Sequence, residues 1–154
     1  MATLYVLVGL PGSGKSHWAH TYADRVGAVV VGSDEVRNDF RADGRDPLDG
    51  DVVFAEVEQR TRAHLQADRS VILDATHALR RYRHYAVNLA REQRVPCVAI
   101  WFDVPLSAAL ERNRWRKGDR FGETVVPERV IHELYAHFEL PTRAEFDRVV
   151  RIIG

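Results

Sequence analysis

Gly9-Leu10-Pro11-Gly12-Ser13-Gly14-Lys15-Ser16 sets glycine, four residues, then Gly-Lys-Ser in a row, the spacing of a phosphate-binding loop. Glycines there let backbone N–H groups converge on phosphate oxygens. Lys15 supplies a mobile cation, and the Ser16 hydroxyl suits Mg²⁺. Gly12, Ser13, Gly14, Lys15 and Ser16 are therefore candidate ligands of a nucleoside triphosphate, with ATP and Mg²⁺ the expected cofactors. A helix opening on the loop adds its positive pole.

Three more clusters can complete a phosphoryl transfer. In Ser33-Asp34-Glu35-Val36-Arg37, Asp34 can orient an attacking hydroxyl and accept its proton. Arg37 shares that face if the segment is helical, and can hold an acceptor phosphate. The structural alternative makes Asp34 a helix cap and Arg37 a surface residue. In Asp74-Ala75-Thr76-His77, Asp74 is a candidate for holding magnesium through water, Thr76 for touching the acceptor, and His77 reads as a solvated loop residue. Arg112-Asn113-Arg114-Trp115-Arg116-Lys117-Gly118-Asp119-Arg120 suits a lid around residues 112–124. Fixed guanidinium groups stabilise charge on a transferring phosphoryl group. Arg112, Arg116 and Arg120 are its expected triphosphate contacts, with Arg112 and Arg116 on one helical face; the structural alternative is a solvated basic helix. A second basic run, Arg80-Arg81-Tyr82-Arg83-His84, could track a nucleic-acid backbone. It reads rather as helix surface, because Tyr82 falls in the stripe Leu79, Tyr82, Ala86, Leu89, Ala90.

These clusters need a scaffold that brings them to one edge. Residues 3–8, 28–31, 70–73, 97–102 and 148–153 read as strands. Helical stretches are expected over 15–25, 51–67, 79–90 and 106–116, with an apolar face at Val130, Ile131, Leu134, Tyr135 and Phe138. Residues 38–51 read as loop, from their polar residues with Gly44, Pro47 and Gly50. Strand–helix alternation implies a parallel sheet of about five strands with helices on both faces, an α/β fold whose ligands lie at the strands' carboxyl ends. The 154 residues suit one domain, 1–154.

Composition narrows the class. Hydrophobic residues are 45% and charged residues 29%, as in globular chains rather than disordered or fibrous ones. Lys+Arg and Asp+Glu are 22 each, so bulk charge does not advertise nucleic acid, although a local patch can still steer it. Lone Cys97 forms no internal disulfide, which suggests a reducing cytoplasmic setting. The opening residues lack a basic leader, so no export signal is expected. No apolar run approaches the roughly 20 residues of a membrane helix. The histidines show no metal-ligand spacing, and a structural zinc is not expected. Trp18 and Trp101 read as core.

In its ordered motifs the chain resembles the 5′-kinase domain of the polynucleotide kinase family. The likeness covers Pro11–Ser16 followed by Trp18-Ala19, Asp34 with Arg37, Asp74-Ala75-Thr76-His77, Phe102-Asp103-Val104-Pro105, Arg112-Asn113, and Val126-Pro127 leading to Tyr135. The resemblance implies that Lys15 and Ser16 serve ATP and magnesium, Asp34 activates a 5′-hydroxyl, and Arg37 binds the neighbouring phosphate. It further implies a lid arginine, matched by Arg116 or Arg120 because residues 117–124 lengthen this segment. His17 and His77 stand where threonine and asparagine are frequent, and the family's third-strand acid sits one place later than Asp74. No room is left for a 3′-phosphatase domain, so 5′-phosphorylation without that activity is expected. The expected function is ATP-dependent phosphorylation of 5′-OH DNA or RNA ends. A small-molecule kinase acting on a nucleoside, sugar or antibiotic is the alternative, and a non-catalytic ATP-binding module is a further one.

Overall fold

The computed structural model describes residues 1–116 and 125–154. The elements run β1 (Leu4–Val8), α1 (Lys15–Val26), β2 (Ala28–Gly32), α2 (Ser33–Ala42), α3 (Gly50–Gln66), β3 (Ser70–Asp74), α4 (Arg80–Gln93), β4 (Cys97–Asp103), α5 (Leu106–Arg114), α6 (Glu128–His137) and β5 (Arg148–Ile153). The strands form one five-stranded sheet in the order β2-β3-β1-β4-β5, and every pairing is parallel. This is the α/β sheet that strand–helix alternation implies.

Side-chain alternation along each strand sorts the helices onto two faces. Leu4, Val6 and Val8 of β1 join Val71, Leu73 and Ala99 in a core that takes Val36 and Phe40 from α2, Val53 and Val57 from α3, and Ala86 and Leu89 from α4. The opposite parity, Leu7, Ile72, Ile100 and Phe102, packs against Ala19 and Trp18 of α1. A smaller cluster at the carboxyl edge joins Leu10 of the phosphate loop to Ala109 of α5 and Ile131 of α6.

Three sequence expectations are corrected. The loop beginning at residue 38 is helix as far as Ala42: Val36 and Phe40, one turn apart, are both buried and anchor it, which outweighs the polar composition between them. The helix of the basic lid ends at Arg114 rather than at residue 116, so Arg112 and Arg116 do not share a helical face. In α4 the stripe does not run through Tyr82, which is 51% exposed, while Arg83 is fully buried.

Arg83 is held by a complete set of acceptors. Its Nε and Nη2 meet the two Glu145 carboxylate oxygens at 2.8 and 2.9 Å. Nη1 donates to the carbonyls of His77 and Glu139, and Nη2 to that of Leu140. Burial alone would raise the Glu145 carboxyl, but the hydrogen bonds and charge of Arg83 hold it below its ordinary range. The pair ties α4 to the stretch before β5 and to the turn after β3. Removing Arg83 leaves three carbonyls without their donor and Glu145 with only the Thr142 hydrogen bonds and the more distant Arg80, a loss of about 3–5 kcal/mol. Arg83→Met is expected to lower the unfolding free energy from urea titration by that amount; an unchanged value would show that the network contributes nothing net.

Candidate functional site

The phosphate loop leaves β1 and turns beneath α5. Gly12 (φ +84) and Gly14 (φ +94) both occupy the left-handed region that favours glycine. At Gly12 the demand is also steric, because a Cβ would lie 2.2 Å from the Ala109 carbonyl oxygen. The loop is pinned to the neighbouring strand as well. Gly9 N–H donates to the Thr76 carbonyl (3.1 Å), and the Ser16 hydroxyl donates to Asp74 Oδ2 (2.6 Å). Lys15 Nζ folds back onto the Leu10 carbonyl at 2.8 Å. Ser13 Oγ is buried and has no hydrogen-bond partner among the described residues, an orphaned polar atom of the phosphate loop.

A cavity of about 230 Å³ opens beside Lys15 and Ser16 and is lined by Asp34, Arg37, Asp74, Thr76 and Arg116. It brings together residues from five separate segments. Asp34 stands in the first turn of α2, with Gly32 rather than Asp34 at the capping position. The Arg37 guanidinium reaches its carboxylate at 3.4 Å, which realises the i, i+3 geometry. Asp74 caps no helix; its partner is Ser16. Burial raises the Asp74 carboxyl, opposed by the Lys15 charge and the Ser16 hydrogen bond. A serine hydroxyl beside a carboxylate is a hard-oxygen donor pair that fits Mg²⁺, and the glycine cradle with Lys15 and the orphaned Ser13 fits phosphate oxygens.

The arginines divide. Arg112 lies over the phosphate loop, 3.6 Å from the place a Gly14 Cβ would take. Arg116 lines the cavity beside Asp34. Arg114 is drawn to Glu128 at 2.7 Å. Arg120 and the lid residues 117–124 lie outside the described residues. Buried Asn113, singled out only as part of a resemblance, clamps the Val126 backbone from both sides: Nδ2 donates to its carbonyl (2.7 Å) and Oδ1 accepts from its N–H (2.9 Å). Only tertiary contact reveals that role, since the partner is 13 residues away.

His77 is not solvated. It is buried, at φ +48. Its Nδ1 lies 2.7 Å from the Leu7 carbonyl, which can only accept, so Nδ1 carries the hydrogen. Nε2 then accepts from the Tyr85 hydroxyl at 2.8 Å. Burial first, then the Lys15 and Arg83 charges, push the imidazole down to about 4. A neutral, doubly bonded histidine thus fixes the turn that carries Asp74 and Thr76. Trp18 and Trp101 are only partly buried: Trp18 packs edge-on to Phe102, and Arg151 stacks on Trp101. Among the described residues, no helix is long and apolar enough to cross a membrane.

The model of the AAA_33 family, an AAA domain, matches residues 4–141. L-seryl-tRNA(Sec) kinase of Methanococcus maripaludis is 26% identical over 143 residues, which are 90% of this chain and 53% of that protein; the chain therefore spans about half of that relative. A sugar kinase from Janibacter sp. HTCC2649 superposes with a TM-score of 0.70 at 21% identity, covering 99% of this chain and 86% of the other. A chain of the Pnkp1/Rnl/Hen1 RNA repair complex superposes with a TM-score of 0.71 at 27% identity, over 88% of this chain and 43% of that one.

The His77 environment sets a pH dependence. The unfolded chain protonates this imidazole near 6.5, whereas the folded one resists to about 4, so the unfolded state binds more protons across that window and stability falls as pH falls. Between pH 7 and pH 5 this loss is about 2 kcal/mol. In urea titrations at the two pH values, His77→Asn is expected to lose correspondingly less than the parent chain. Equal losses would refute the assignment.

Proposed function

This chain belongs to the AAA domain family and carries a P-loop kinase fold, and we propose that it phosphorylates the 5′-hydroxyl of DNA or RNA, with ATP as donor and Mg²⁺ as cofactor. The observation that carries this reading is Asp34 with Arg37 at 3.4 Å, both in the cavity that Lys15 and Ser16 enter. A carboxylate beside a guanidinium matches a hydroxyl whose sugar also bears a phosphate. The likeness to the RNA repair complex chain adds support.

In this mechanism Asp34 orients the 5′-hydroxyl and takes its proton as the oxygen bonds to the γ-phosphorus of ATP and the bond to the ADP leaving group breaks. Arg37 holds the acceptor's adjacent phosphate, and Thr76 lines its approach. The loop N–H groups with Ser13, Gly14 and Lys15 hold the donor phosphates. Arg112 lies over them, while Arg116, and Arg120 from the lid, supply cations to the transferring group. Ser16 and Asp74 would hold magnesium, Asp74 through water; when bound, the ion neutralises charge on the phosphates. Positioning does most of the work.

Asp34→Ala is expected to retain ATP binding and to lose about 10²–10⁴-fold in turnover, read with labelled ATP on a panel of 5′-OH oligonucleotides, nucleosides and sugars. Near-normal turnover would remove Asp34 as base. Label on a sugar or nucleoside alone would favour the small-molecule reading, to which the sugar kinase likeness points, and label on nothing the non-catalytic one. Arg37→Ala should impair acceptors bearing a neighbouring phosphate more than bare nucleosides.

A further inference from the structure

The acceptor cavity does not end at Arg37. It shares Ser33, Arg37, Ala75, Thr76 and Leu134 with a second hollow of about 570 Å³ between α3 and α4. That hollow is walled by aromatic groups: Phe54 and Tyr85 meet nearly edge-on at 5.5 Å, beside His77. It shares Arg81, Tyr82 and Leu134 with a third, open groove between α4 and α6. Leu134 lines all three, so one continuous path leads from the Asp34 carboxylate to the amino end of α4.

At the junction of the second and third hollows the sequence run Arg80–His84 takes on a shape. Tyr82 is 51% exposed. The Arg81 guanidinium sits 4.9 Å from its ring centroid and donates to its hydroxyl at 3.1 Å. An exposed aromatic ring alone is unremarkable, but a ring already stacked by arginine, on the rim of an aromatic-walled hollow, is what a nucleobase and its phosphate need. The charges set the direction. Arg80, Arg81 and His84 line the α4 side of the outer groove, while Glu133 and His137 of α6 lie across it; Glu139 accepts from the Arg80 N–H at the amino end of α4, and the Arg80 guanidinium lies 3.7 Å from Glu145. The Arg81 guanidinium is therefore the cation that a phosphate meets beside the Tyr82 ring, with Glu133 opposite it on α6.

We propose that Arg81 and Tyr82 form a platform for the acceptor strand, which stacks and holds the nucleotides following the reacting 5′ end and so selects single-stranded polynucleotides over mononucleotides. This inference rests on the 5′-kinase reading and assigns that site's reach beyond the first phosphate.

The test compares two acceptors of the intact chain, a 5′-OH hexanucleotide and a nucleoside 3′-monophosphate, in the parent and in Tyr82→Ala, Tyr82→Phe and Arg81→Ala. Binding of the labelled hexanucleotide by fluorescence anisotropy serves as a readout independent of turnover. Tyr82→Ala is expected to weaken hexanucleotide binding and raise its KM about tenfold, with the mononucleotide KM unchanged. Tyr82→Phe keeps the stacking face and should restore binding. Arg81→Ala should lower the slope of log affinity against log salt by about 0.7. Equal effects on both acceptors, or none on either while the parent phosphorylates both, overturn the platform and leave the 5′-kinase reading standing. A parent that labels only sugars or free nucleosides overturns both.

Discussion

A loop that must present its own N–H groups to phosphate can have no side chains in the way, yet it must be held rigidly. Here the two demands are met by docking the loop against other elements. The Ser16–Asp74 hydrogen bond of 2.6 Å and the Gly9–Thr76 backbone bond fasten it to the end of β3. The Ala109 carbonyl closes over Gly12 so tightly that a Cβ cannot fit. Everything else in the candidate site is referenced to that loop. Asp74 and Thr76 reach it through β3, Asp34 through the parallel neighbour β2, and Arg112 through α5.

The same turn after β3 is braced from behind. Its His77 spans from β1 to α4 through the Leu7 carbonyl and the Tyr85 hydroxyl, and the His77 carbonyl accepts from buried Arg83. Arg83 in turn binds Glu145 ahead of β5. A chain of buried polar contacts thus links the cavity to the far end of the polypeptide. Such groups are costly to bury unless fully partnered, and here each has its partners.

Much of the site was legible because its parts are local. Gly-x-x-x-x-Gly-Lys-Ser specifies its own turn, and an aspartate three residues before an arginine specifies one helical face once the helix exists. The unbroken apolar strands reported a sheet covered on both sides. What escaped were features whose cause lies far away in the chain. Residues 38–42 look like loop, but Phe40 finds the core. Tyr82 fits a helical stripe by spacing, yet the helix is rotated so that Arg83 faces inward, because Glu145 and three carbonyls await it there. Asn113 carries no motif of its own and acts on a partner 13 residues distant.

Residue types and spacing by themselves determined the phosphate loop, the Asp34–Arg37 pair, and the alternation that makes a parallel sheet, since each depends on contacts within a few residues. Tertiary structure decided the strand order that gathers five segments around one cavity, the burial of His77 and Arg83, and the division of the arginines among loop, cavity and Glu128. Those outcomes depend on which surfaces meet after folding, and a pattern of neighbours along the chain carries no information about a partner sixty residues away.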